Sequence, residues 1–337
     1  MVEHQLHPPR HDHSQEHGHS HDHGVGPDAE VHTDHHHDHA PVLPVPGQYR
    51  AFAIGIGLNL GYAVIEAIVG ISVGSMALLA DAAHNLGDVL GLALAWGAVW
   101  MAQRPATRRR SYGHGRATIL AAWGNAMLVF LAVGGLTWEA VSRLSVPAPV
   151  PGGTMMIVAG IGVIVNVLSA LLFLRGSSHD LNRRGAMLHL FMDAVVSVGV
   201  VAGGAAIMWT GWNWLDPAIA LAVGLVIIAA TWGLLRDSVD LMLDATPRHI
   251  EPDDVLAFLS RQTDVIGVHD LHIWALSTTR TALTGHVVIR PGGQGPDPIA
   301  LADALRQTFR IDHATIQVEL HGTCQLDCLA ERRSSPA

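Results

Sequence analysis

Six long apolar runs divide this chain of 337 residues, at about 52–72, 76–100, 119–138, 155–174, 187–209 and 217–235. Each is long enough, or nearly so with tilt, to cross the hydrocarbon of a bilayer. A backbone in hydrocarbon has no water to bond, so runs of this kind must be helices. With 49% hydrophobic and 15% charged residues, the chain is too apolar for an ordinary soluble protein. The expected fold is an α-helical membrane protein, with six transmembrane helices in residues 50–244. The loop after the second run holds Arg104, Arg108, Arg109, Arg110 and Arg116, and the loop after the fourth holds Arg175, Arg183 and Arg184. The loops after the first and fifth hold none, which puts the even loops and both termini in the cytoplasm.

Inside the second run stands Asp81-Ala-Ala-His84-Asn85-Leu-Gly-Asp88. His84 and Asp88 are one helical turn apart, about 40° around the axis and roughly 6 Å along it. The spacing recurs in the fifth run as His189-Leu-Phe-Met-Asp193. Ionisable groups at membrane depth are costly and mark pathways or sites. Two helices that each offer an imidazole and a carboxylate can converge on four N/O ligands, a set suited to a tetrahedral divalent ion such as Zn²⁺. Two buried His–Asp hydrogen bonds would explain the pairs without function, but the membrane penalty is then incurred four times. A proton relay without metal fits the pairs but not the histidine-rich tail. The first run carries Asn59 and Glu66, for which structural hydrogen bonding and an ion-path role both stay open. Gly57-x-x-x-Gly61 and Gly199-x-x-x-Gly203 would permit close helix contact. Asp216-Pro217 reads as a helix start rather than a site.

Residues 1–49 form a polar tail and a proline linker; the first 40 contain 13 of the 23 histidines. Almost free of large apolar residues, the tail is expected to be disordered and to chelate divalent metal loosely. It does not read as a secretory signal peptide. From Ala245 the composition becomes that of a soluble domain, 245–323, in the order αββαβ with helices on one face. A helix opens at Glu251–Asp254; strands follow at Val268–Leu276 and Ala282–Ile289, then a helix at Ile299–Phe309 and a strand at Ala314–Leu320. Its ligand candidates are His269, Asp270, His272, His286, His313 and Glu319, against which stands a surface cluster of satisfied histidines. Cys324 and Cys328, in the tail 324–337, do not make a disulfide framework. Their spacing leaves soft-metal binding and a plain tail both open. All 20 basic residues are Arg.

The assembled pattern resembles the cation diffusion facilitator family, in its bacterial zinc/cadmium/cobalt exporter branch with a histidine-rich N-terminus. The residues that carry it run from Ser75 to Asp88, with Ser111-Tyr-Gly-His114-Gly-Arg116, His189 to Asp193, Val268-His269-Asp-Leu-His272-Ile-Trp274 and Thr315-Ile-Gln-Val-Glu319. The resemblance implies a homodimer in the bacterial inner membrane and a transport site at His84, Asp88, His189 and Asp193. It also implies a ferredoxin-like cytoplasmic domain, with regulatory Zn²⁺ at His269, His286 and Glu319 and His272 nearby. Some relatives have a further site after the second span; here His114 matches it, but Arg110 stands where another His is expected.

Metal binding to two His and two Asp needs all four deprotonated, so binding releases protons. Metal/proton antiport by alternating access is the expected mechanism, with divalent cations and protons as the partners. A Gly-x-x-x-x-Gly-Lys phosphate loop is excluded, since the chain has no Lys. Four protein ligands leave no open position, which argues against a metal-dependent enzyme. A membrane-anchored metal buffer or sensor is the competing class, but it has no need of ligands at the bilayer midplane.

Overall fold

The computed structural model describes residues 49–174 and 181–320. The histidine-rich tail, the proline linker, His179, Cys324 and Cys328 lie outside the described residues. Six helices long and apolar enough to span a membrane come first: α1 Tyr49–Val73, α2 Met76–Ala102, α3 Ala117–Ser145, α4 Gly152–Leu174, α5 Leu181–Thr210 and α6 Leu215–Met242. They match the six apolar runs and extend past them. α6 runs on through Arg236, Asp237 and Asp240, where the apolar run has ended.

The bundle is apolar outside and polar within. Ile65, Leu131, Trp138, Ile164 and Leu225 point outward, while Glu66, Asp81, Asn85, Asn166, Asp193, Ser197 and Asp216 are buried. That inversion fits a lipid surround, where apolar side chains need no burial and polar ones must find partners. α2 packs on α1, α3, α5 and α6, so it is the organising helix. Gly74 ends α1 in the left-handed conformation, and Ser75 caps α2 by accepting from the Leu78 N–H.

Asp216 does more than start α6. Its buried carboxylate accepts from Ser75 Oγ at 2.6 Å, Met76 N at 2.7 Å and Ala77 N at 3.2 Å. A first-turn acid of α6 thus supplies the free N–H groups of α2, where the helix dipole favours a negative charge. The glycine pairs also play a different part from the expected one. Gly57, Gly61 and Gly199 face open space, and of those four only Gly203 meets another helix, at Ile219. The close approaches are made by Gly152 against Gly204, between α4 and α5, and by Gly91 against Asn125, between α2 and α3.

The soluble part follows the expected αββαβ order: α7 Pro252–Ser260, β1 Val265–Ala275, β2 Thr281–Ile289, α8 Pro298–Phe309 and β3 His313–Glu319. The sheet order is β1-β2-β3, with β1 and β2 antiparallel and β2 and β3 parallel. The parallel pair needs a crossover, and α8 provides it. Val255 and Leu259 of α7, and Leu301 and Leu305 of α8, pack with Ile273, Leu283 and Ile311 into one core. Between His269 and His272 the β1–β2 register slips, and Asp270 there takes a left-handed backbone (φ 51°). With the slip, His269 pairs with His286 and His272 with Thr284, so both histidines fall on one face of the sheet.

The loop between α2 and α3 and the first turn of α3 lie against this domain and its linker. Thr278 N donates to Thr118 Oγ1 at 3.0 Å, Arg116 pairs with Asp244, and the Tyr112 and His313 rings meet edge to face.

Candidate metal centre

His84 and Asp88 sit eight and twelve residues into α2, about 12 and 18 Å from its start. α5 brings His189 and Asp193 to the same level. The four side chains alternate. His84 Nε2 is 3.0 Å from Asp193 Oδ1 and 3.7 Å from Asp88 Oδ2; His189 Nε2 is 3.1 Å from Asp88 Oδ2 and 3.7 Å from Asp193 Oδ2. The imidazole rings meet edge to face at 6.0 Å. Ligand atoms of His84, Asp88 and Asp193 lie within 4.8 Å of one another, a spacing that one small cation can satisfy. His189 completes the ring from a more open position: its side chain is 47% exposed, against 4% for Asp193. The short nitrogen–oxygen contacts bring together lone pairs that either a proton or a metal ion can bridge. All four donors are hard or borderline, which fits Zn²⁺, Cd²⁺ or Co²⁺.

Behind this ring Ser197 Oγ donates to Asp81 Oδ2 at 2.9 Å, and Asn85 Nδ2 donates to the Asp81 carbonyl at 3.1 Å. The sequence motif contained Asp81 and Asn85 but gave no sign of Ser197, which lies 116 residues away.

A second cluster forms on the sheet. His269, on β1, faces His286, on β2, with ring centroids 5.0 Å apart. Glu319, at the end of β3, approaches His269 Nε2 at 3.2 Å and His286 Nδ1 at 2.7 Å. Burial pulls the Glu319 carboxyl up, but the two imidazoles outweigh it and hold it below the usual carboxylate range. These three offer ligand atoms within 4.8 Å of one another. His272 is not in that triad; its Nε2 pairs with Asp270 Oδ1 at 3.0 Å, and Asp270 Oδ2 lies 3.7 Å from His286 Nε2. His313 stands at the other end of β3, against Tyr112. His114 belongs to neither cluster.

The profile of the cation efflux transmembrane domain matches residues 52–243, and that of the cation efflux protein cytoplasmic domain matches residues 247–321. The chain belongs to the cation efflux, or cation diffusion facilitator, family. Among its relatives is the metal cation efflux system protein CzcD of Cupriavidus metallidurans, 37% identical over 306 residues, with 90% of this chain and 95% of the relative covered. The zinc transporter ZitB of Escherichia coli is 35% identical over 301 residues, 87% of this chain and 95% of the relative. A cadmium, cobalt and zinc/H(+)-K(+) antiporter of Bacillus subtilis is 31% identical over 266 residues, 78% of this chain and 84% of the relative. As a member of the cation efflux family, this chain is an integral membrane transporter and not an enzyme. Its two clusters of His and carboxylate side chains fall one in each matched domain.

Proposed function

We propose that this transporter exports Zn²⁺, with Cd²⁺ and Co²⁺ as alternative cargo, by exchanging it for protons at His84, Asp88, His189 and Asp193. The observation that carries the reading is the alternating His–Asp ring between α2 and α5. Each imidazole nitrogen shares a carboxylate oxygen with the other helix, so a metal ion and protons compete for the same lone pairs. On the cytoplasmic face, where protons are scarcer, metal displaces them from the histidines. On an acidic outer face, protons displace it, because histidine changes charge in that range. The zinc and zinc/cadmium/cobalt names of the relatives favour this cargo, and the proton in the Bacillus relative's name favours this counter-ion.

The arginine-rich loop after α2 touches the soluble domain, which supports reading that loop and the domain on one side. By the distribution of Arg that side is the cytoplasm, and the bacterial inner membrane is the setting. The soluble domains pair two protomers. Zn²⁺ bound by His269, His286 and Glu319 acts there as an effector, biasing one transport state.

Purified protein in potassium-free liposomes, carrying a zinc dye and a pH dye, tests the exchange. A zinc pulse is expected to drive zinc one way and protons the other, with zinc flux rising as the proton gradient steepens. Tight zinc binding without flux would replace this reading with a membrane-anchored buffer or sensor.

A further inference from the structure

Beside the metal centre lies an ionisable group that the exchange described above does not use. Glu66 on α1 and Asp81 on α2 are both 0% exposed. Tyr62 donates its hydroxyl proton to Glu66 Oε1 at 2.6 Å, and the same hydroxyl lies 3.3 Å from the Val158 carbonyl of α4. Its ring fits there because α4 has Gly162, where a Cβ would collide with the tyrosine. Ser197 of α5 occupies Asp81 Oδ2. This leaves Glu66 Oε2 and Asp81 Oδ1 buried with no donor in hydrogen-bond geometry. The two carboxyl groups interact with each other, and the Asn85 amide sits beside Glu66. The ionisable groups facing Glu66 are thus Tyr62 from its own helix and Asp81 from α2. α4 contributes a carbonyl and has no ionisable side chain.

Two carboxyl groups meeting in a site of low dielectric cannot both be ionised. A proton on Glu66 Oε2, donated to Asp81 Oδ1, satisfies both bare oxygens at once.

We propose that Glu66 is a proton-binding site distinct from the metal ligands, one that holds a proton while the centre lacks metal and releases it when metal arrives. The proposal rests on the reading of His84, Asp88, His189 and Asp193 as the cargo site. Without metal and with its histidines neutral, that centre presents two carboxylates, whose negative field favours a proton nearby. A divalent ion cancels the field, and the Glu66 carboxyl then loses its proton to solvent as the carboxylate. The coupling is reciprocal, so a proton on Glu66 weakens metal capture. Metal and proton are then linked by charge across a gap, in addition to direct competition at the histidines.

Calorimetric titration of the full-length protein in detergent tests this, with zinc as the only metal and buffers of different ionisation enthalpy. It counts the protons released per zinc bound. Glu66→Gln keeps the shape and fixes the group in a neutral form. It is expected to bind zinc and to release fewer protons, by up to about one per transport site. Tyr62→Phe keeps the carboxyl but removes its donor. It is expected to move the pH profile of proton release while keeping its amplitude. Release equal to wild type in Glu66→Gln, at every pH between 6 and 8, would overturn the proposal. If Glu66→Gln does not fold, the Tyr62→Phe profile decides: a shift supports the proposal and an unchanged profile overturns it. Asp88→Ala is the control for the site itself. If it retains the wild-type zinc stoichiometry, the cargo-site reading fails, whatever Glu66 does.

Discussion

The four residues of the proposed metal ring are not equivalent. Asp193 is the most buried and has Asp81 and Ser197 behind it, while His189 stands nearly half exposed at the rim. A ligand at the rim governs capture, and one on the inner wall governs retention. His189→Ala is expected to raise the zinc concentration needed for half-maximal flux by more than about tenfold, in a zinc-concentration series on proteoliposomes. Glu319 makes a separate prediction. A carboxyl held below its ordinary value in the fold adds stability above that range. The contribution is lost as pH falls through the folded value. Glu319→Gln is therefore expected to make the sheet less sensitive to acid than wild type below the usual carboxylate range. Hydrogen exchange of the β1–β3 peptides at successive pH values checks this, and equal acid sensitivity contradicts it.

At the scale of elements, α2 is fixed at its start by a side chain from α6. Asp216→Ala leaves the Met76 and Ala77 N–H groups and the Ser75 hydroxyl buried without their acceptor. The expected cost is about 1–3 kcal/mol, with Asp216→Asn recovering part of it. Thermal unfolding in detergent measures both variants. The sequence could not show this contact, because a cap supplied from 140 residues away leaves no local pattern. It could show that His84 and Asp88 share a face, because helical period is local. Their meeting with His189 and Asp193 was legible only because the same spacing occurs twice. The glycine pairs were misleading for a related reason. Small residues at spacing four permit an approach, but they do not say which face a helix turns inward, and Gly57, Gly61 and Gly199 face outward. The bulge at Asp270 was also hidden, since one residue of slip in a strand has no signature in alternation. That slip turns His272 to the same face as His269, where it pairs with Asp270 rather than with the triad.

For the molecule as a whole, the transport bundle and the soluble domain touch through the α2–α3 loop and the first turn of α3. That loop is continuous with the helix bearing His84 and Asp88, so a shift of the domain can reach the ring through one rigid element. Thr118→Val removes the acceptor for Thr278 N without touching either ligand cluster. It is expected to leave zinc binding intact and to weaken the dependence of flux on cytosolic zinc, read in proteoliposomes across a zinc series. The division into six spans and an αββαβ domain was legible from hydropathy and composition, which are chain-wide averages. The docking was not, because it depends on a few polar contacts at a loop. The central claim is that the α2–α5 ring is the route of the ion. The most direct measurement is the initial zinc flux of Asp193→Ala, set beside Ser197→Ala one turn away and wild type at equal reconstitution. The account predicts flux lost in Asp193→Ala and retained in Ser197→Ala; wild-type flux through a folded Asp193→Ala protein would contradict it.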